Sequence, residues 1–327
     1  MSDLMRDHMK QLQGVSESVE GFPETFRRKT TEEPSSRSQK IKILFVAAGG
    51  GRSGKTLFSR LVGEMDGCTN VGELRELING IAENNCIPCG CGDALASCLL
   101  WKEIKEVLPH EVQEYAKRWM RMRWFLPYLV SLLGAPPTWR FRRYLQTLET
   151  IYAEIARQTG CSVIVDSSTS PTYLCTLMRL LNVEVYVLHL VRSPQAVAMS
   201  WSRKKEYLAP QSALKTLIAW LIENICFERL GRSTGEYRRI RYEDFVEEPE
   251  ETLRSVTEWI FRRPMALPFV SRNRALIHEQ HHLAGNPDKF AAGEIVIRQD
   301  TAIPAPLHTR ILTHLLTFPL LWHYKYL

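Results

Sequence analysis

From Ile41 the chain reads IKILFVAAG, apolar but for Lys42 and rich in β-branched residues, and it ends in glycines. A short run of this kind predicts a strand buried on both faces. LFSRLVGEM at 57–65 then spaces its apolar residues as one face of a helix. The same alternation returns twice: CSVIVDSS (161–168) precedes PTYLCTLMRLL, and VEVYVLHLVRS (183–193) precedes PQAVAMSWSRKKEY. Strands alternating with helices predict an α/β fold, a central parallel sheet flanked by helices, with ligands at the carboxyl ends of the strands.

Between the first two of these strands, residues 99–158 read as helices in WKEIKEVL, YAKRWMRMRWFLPYLVSLL and RRYLQTLETIYAEIARQ. A helical insert of that length is expected to lie above the strand ends as a pocket wall or lid. Its RWMRMRW stretch reads as an amphipathic packing face with snorkelling arginines. Residues 1–40 are polar and end in TTEEPSSRSQK, which predicts a flexible N-terminal arm ahead of one domain spanning 41–327. The sequence shows no internal repeat.

Composition narrows the classes. With 327 residues, 45% hydrophobic and 24% charged, the chain can bury a large core. Its 42 basic and 36 acidic residues give a net charge of +6, which suits anionic ligands, but the excess is dispersed and does not indicate nucleic acid. Asp3 and Asp7 interrupt an N-terminus without an apolar core, so no secretory signal is expected. The apolar runs Val185–Val191 and Ile311–Leu321 are too short or too interrupted to span a bilayer, and a cytoplasmic protein is expected. The eight cysteines are then expected to be reduced. Four of them, Cys86, Cys89, Cys91 and Cys98, lie in CIPCGCGDALASC, where thiolates could share a zinc ion. The irregular spacing and the lack of a histidine in the stretch favour a metal-free turn.

The candidate chemistry begins at GGGRSGKT. Gly49, Gly54, Lys55 and Thr56 fit the G-x-x-x-x-G-K-[ST] phosphate loop of a nucleoside triphosphatase, for which Asp166 would be the magnesium-organising acid. Strand, glycine turn and helix is the context such a loop needs, because free backbone N–H groups and the helix N-terminus converge on an anion. The third strand ends in Arg192, and the helix after it carries Ser200 and Lys204 one turn apart, which makes a second anion site on the same sheet edge. Two such sites suit a nucleoside phosphorylated at both ends. A plain triphosphate does not require the second.

GRSGKTLFSRLVGEM, VYVLHLVRSPQAVAMSW and IRYEDFVEEPE together resemble the sulfotransferases that use 3′-phosphoadenosine 5′-phosphosulfate (PAPS). The resemblance spans about residues 41–325. CIPCGCGDALASC with Trp101, DSS at 166–168 and GNPDKFAAG at 285–293 are similar to bacterial members acting on small hydroxylated compounds. It implies a P-loop-like sulfotransferase fold and metal-independent, in-line transfer of a sulfuryl group from PAPS to a small-molecule hydroxyl, releasing 3′,5′-adenosine bisphosphate (PAP). Arg52 would face the transferred group, and Ser53, Gly54, Lys55 and Thr56 would wrap the 5′-phosphate. Arg192 and Ser200, eight positions apart, would hold the 3′-phosphate beside Lys204 of the same anion site, Tyr242 the adenine, and Asn286 and Lys289 a closing loop. Glu73 in NVGELREL is the expected general base, with Glu76 and Asp166 as competitors.

Ser167, Ser168, Trp220, Asn224 and His282 are expected on the acceptor side, while His189 is expected to be buried structure. Two positions depart from the family pattern. Lys55 stands where many relatives have Ser or Thr, and Thr169 where they often have a lysine that stabilises the leaving oxygen. Two further readings stay open: a kinase or ATPase working with magnesium and ATP, and a nucleotide-binding scaffold without turnover.

Overall fold

The computed structural model describes residues 40–78, 87–120, 138–203, 209–285, 287–298 and 305–327. Except for Lys40, the expected arm lies outside these residues, as do Cys86, Lys204 and Asn286. Lys40–Leu327 forms one folded unit.

Its centre is a five-stranded sheet in the order β2-β3-β1-β4-β5, with every neighbouring pair parallel. The strands are β1 (Ile41–Ala47), β2 (Cys68–Gly72), β3 (Val163–Asp166), β4 (Val183–Val191) and β5 (Tyr237–Arg241). Side chains alternate along β1, so the apolar run from Ile43 to Ala47 serves two cores. Ile43, Phe45 and Ala47 pack with Trp101, Tyr144, Tyr152, Tyr173 and Phe227 on one face. Leu44 and Val46 pack with Phe58, Leu61, Phe245 and Leu253 on the other. Each large side chain buried this way contributes about 1.5–3 kcal/mol before chain entropy is charged against it.

Helices cover both faces. Those that position the site are α1 (Lys55–Gly63), α2 (Leu74–Ile78), and α3 (Leu99–Glu106), α4 (His110–Trp119) and α5 (Trp139–Thr159), which fall between β2 and β3. They continue with α6 (Pro171–Leu177), α7 (Pro194–Ser202), α8 (Ala213–Ser233), α9 (Tyr242–Glu247), α10 (Pro249–Phe261) and α11 (Leu307–His323). A small antiparallel sheet of β6 (Val270–Ser271), β7 (Arg274–Ile277) and β8 (Gly293–Val296) follows α10. Beyond β7 the chain runs beside β2, where Leu283 forms a parallel bridge with Gly72. Among the described residues no helix is long and apolar enough to cross a membrane.

Candidate active site at the carboxyl edge of the sheet

Each of the five parallel strands delivers a polar residue or loop as it ends. Read across the sheet, the tips are Glu73 after β2, Ser167 and Ser168 after β3, the glycine turn after β1, Arg192 after β4 and Tyr242 after β5. The central strand β1 has β3 on one side and β4 on the other, the switch point where open parallel sheets leave a crevice for ligands.

The turn is built from backbone conformations that side chains resist. Gly50, Gly51 and Gly54 have φ of 77°, 64° and 84°, and Arg52 adopts 53° between them. Gly54 then N-caps α1 without a side chain, so the first-turn amides of a nine-residue helix have no side-chain acceptor from that position. Ser53 is 1% exposed, and its hydroxyl is buried with no hydrogen-bond partner among the described residues. A buried unsatisfied hydroxyl costs about 1–3 kcal/mol. An anion oxygen in the turn would recover that cost. A Cβ on Gly54 would stand 2.2 Å from the Tyr242 ring. Gly54→Ala is therefore expected to destabilise the fold by about 2–5 kcal/mol, combining overpacking with left-handed strain, as read by denaturant unfolding.

Below the turn, two of the residues expected on the acceptor side, Trp220 and Asn224, are packed into the fold. Trp220 and Asn224 are fully buried. The Trp220 indole donates to the Arg192 carbonyl at 3.0 Å, and the Asn224 amide donates to the Trp220 carbonyl at 2.7 Å. Asn224 Oδ1 lies 2.8 Å from His189 Nε2, and its side chain occupies the space that a Cβ on Gly49 would need. Burial lowers the His189 pKa to about 4, so this histidine is a neutral strut between Asn224 and Tyr237.

Two supports were not singled out in the sequence. Trp201 donates its indole N–H to the Gly50 carbonyl at 2.7 Å and lies under the Arg52 guanidinium, 4.6 Å from the ring centre. Glu223 accepts the Gly50 N–H at 2.8 Å, and burial raises its pKa against that bond. A tryptophan beside Ser200 and a carboxylate between Trp220 and Asn224 were the available signals.

On the other side of the turn, Arg192 donates to the Arg52 carbonyl at 2.8 Å, and its guanidinium sits 4.6 Å from the Tyr242 ring centre. The strand tip behind it is tied down. Glu243 accepts the Ser193 N–H at 3.0 Å and the Tyr326 hydroxyl at 2.7 Å. Ser200 is half-buried on α7, eight positions after Arg192.

Toward β2, Lys55 donates to Glu73 Oε1 at 2.6 Å and to the Ser167 carbonyl at 2.7 Å. Burial on its own would raise the Glu73 carboxyl, but the Lys55 ammonium and its hydrogen bond, with Arg75 and Lys289 adding, hold it below the usual carboxylate range. Glu73 is therefore ionised at neutral pH. Neighbouring groups are used within the fold. Ser168 accepts the Arg75 N–H at 3.0 Å near the start of α2, and Glu76 pairs with Arg75 at 2.6 Å. Asp166 is fully buried, with one oxygen taken by the Tyr152 hydroxyl at 2.6 Å and the other by the Ser168 N–H at 2.8 Å. Its carboxylate is thus committed to the core, which disfavours a magnesium-organising role.

The late segment meets this edge as well. Leu283 accepts the Glu73 N–H at 3.0 Å. Lys289 is 5% exposed and donates to the Pro88 carbonyl at 2.8 Å, and burial lowers its pKa to about 8. His282 is 2% exposed and neutral, its pKa lowered to about 3 by burial and then by Arg60 and Lys289. The helices between β2 and β3 carry a concavity of about 410 Å³, lined by Tyr115, Trp139, Arg140 and Arg143 among others, and none of its lining residues belongs to the glycine turn.

No protein-family model matches the chain, and no curated protein matches its sequence. Among solved structures, the "Sulfotransferase Domain from the Curacin Biosynthetic Pathway" is similar at 17% identity and a TM-score of 0.48, covering 86% of this chain and 99% of that one. The "Sulfotransferase Domain from the Synechococcus PCC 7002 Olefin Synthase" is similar at 18% identity and a TM-score of 0.46, with coverages of 89% and 98%.

Proposed function

We propose that this chain is a sulfotransferase that moves a sulfuryl group from PAPS to a hydroxyl of a small-molecule acceptor. The observation that carries the reading is the contact of Arg192 with the glycine turn: its guanidinium reaches the Arg52 carbonyl at 2.8 Å, so two anion-binding elements adjoin at one crevice. A donor phosphorylated at both ends matches that pair. Ser53, Gly54, Lys55 and Thr56 take the 5′ end through hydroxyls, amides and an ammonium, Arg192 and Ser200 take the 3′-phosphate, and Tyr242 borders the nucleoside.

When bound, the donor supplies the sulfuryl group, and the chain's own task is to position charge and handle one proton. Glu73, kept ionised by Lys55, accepts the proton of the acceptor hydroxyl. The Lys55 ammonium rests on the Ser167 carbonyl, two residues before Thr169. It thereby brings a cation to the strand tip where relatives often carry a lysine, which supports Lys55 as the group facing the developing charge. The second reading, a magnesium–ATP enzyme, loses its metal-organising acid if Asp166 stays engaged with Tyr152 and Ser168.

Thermal unfolding separates these readings. PAP in the presence of a chelator is expected to stabilise the protein by about 2.7 kcal/mol at a hundredfold excess over its Kd, because it binds only the native state. Stabilisation by ATP that needs magnesium, without a response to PAP, would replace this function with the second one. Binding of PAP without transfer to any of a panel of hydroxylated metabolites would leave a nucleotide-binding scaffold.

A further inference from the structure

The sequence offers three described cysteines close together and no histidine beside them. Folding supplies the histidine. His281 Nδ1 lies 3.3 Å from Cys98 Sγ, across 183 positions of sequence, and 3.8 Å from Cys89 Sγ. Cys91 Sγ lies 3.9 Å from Cys98 Sγ. The four donor atoms of Cys89, Cys91, Cys98 and His281 all fall within 4.8 Å of one another.

We propose that Cys89, Cys91, Cys98 and His281 bind one zinc ion as a closed, structural site. A tetrahedral zinc with Zn–S near 2.3 Å and Zn–N near 2.0–2.1 Å has donor–donor edges of about 3.5–3.8 Å, close to the separations present. Three soft thiolates and one borderline imidazole select zinc over magnesium or calcium. Four protein ligands leave no open position for substrate, so the ion holds structure and does not activate a reactant. Binding releases the three thiol protons, because only the thiolates coordinate.

The surrounding backbone is shaped for this convergence. The chain reverses at Gly92, whose φ is 90° and whose N–H donates to the Cys89 carbonyl at 2.9 Å, while the Cys89 N–H donates to the Asp93 carbonyl at 2.9 Å. Cys98 N-caps α3, which fixes the third thiol at a helix terminus. The two strands of chain that would share the metal are already stitched together: the Gly90 N–H donates to the His282 carbonyl at 2.9 Å and Lys289 donates to the Pro88 carbonyl at 2.8 Å. Two residues beyond His281, Leu283 holds the Glu73 N–H. The zinc thus clamps the segment against which the end of β2 is set, and its effect on activity runs through that clamp.

The test uses the full chain purified after expression with added zinc. Elemental analysis is expected to give one zinc per chain, and X-ray absorption a shell of three sulfurs at about 2.3 Å and one nitrogen at about 2.0–2.1 Å. Neither measurement depends on a variant that folds. His281→Ala should weaken zinc binding by more than the about 10–100-fold lost when only an outer-shell partner is removed. His281→Cys should retain one zinc in an all-sulfur shell. Protein that stays folded and takes up no stoichiometric zinc would overturn the site. So would a four-sulfur shell in the unaltered chain, or wild-type zinc affinity in His281→Ala, since either excludes the histidine.

Discussion

Glu73→Gln is expected to slow sulfuryl transfer by about a hundredfold to ten-thousandfold, the usual worth of a positioned general base, while the affinity for PAP changes little. Glutamine keeps the length of the side chain and an oxygen that can accept from Lys55, so the strand-tip geometry survives. What it loses is the capacity to take a proton. The readouts are single-turnover transfer and PAP titration on the same preparation. Full activity in the variant would remove Glu73 from the role and turn attention to Glu223, a carboxylate that reaches the turn at 2.8 Å from the Gly50 nitrogen.

The pH profile follows from the same pair. Because Lys55 holds the Glu73 carboxyl below the usual carboxylate range, the acid limb of the rate profile should lie at or below that range. In Lys55→Met the carboxyl loses its main opposing cation while burial continues to raise it, so the limb should move to higher pH. The stability effect has a definite sign: a carboxyl that titrates lower when folded than when unfolded stabilises the fold above its unfolded pKa. That contribution disappears as the pH falls through the folded-state value. A limb that stays in place in Lys55→Met would show that another group limits the rate.

The central part of this edge was readable because a buried strand, a glycine turn and a helix leave strong local patterns. IKILFVAAGGG and VEVYVLHLVRS are apolar at most positions of both faces, the near-continuous pattern of strands inside a parallel sheet. The outer strands left weaker traces. CTNVG, which forms β2, is five residues with Thr and Asn at an edge, and YRRIR, which forms β5, carries three arginines and is only half-buried throughout. Without β2, Glu73 could be placed only as a neighbour of a helix start. With it, the carboxylate stands at a strand tip beside Ser167.

Tertiary placement escaped pattern reading for a different reason. Helical spacing correctly puts Trp220 and Asn224 on one face of α8, yet it cannot say whether that face meets a ligand or the underside of a glycine turn. Ser168 is ambiguous in the same way, since a hydroxyl at a strand tip can meet a substrate or a backbone N–H of the next helix. The partner of the cysteine stretch lies 183 positions away, and no local spacing contains it.

Arg192→Ala is expected to weaken PAP binding by about 2–5 kcal/mol, the cost of truncating one partner of a close charge pair. That corresponds to about 30-fold to a few thousandfold in Kd. The loss could arise in two ways, since the guanidinium also donates to the Arg52 carbonyl and braces the turn that receives the 5′ end. Adenosine 5′-phosphosulfate, which lacks the 3′-phosphate, distinguishes them. If Arg192 binds the 3′-phosphate, the unaltered protein should prefer PAPS strongly over adenosine 5′-phosphosulfate, and Arg192→Ala should lose most of that preference. Equal weakening toward both nucleotides would make the residue a brace for the turn and leave the 3′-phosphate to Ser200 or another donor. Arg192→Lys should recover little of the preference, because a point ammonium neither forks onto a phosphate nor stacks on Tyr242 as the planar guanidinium does.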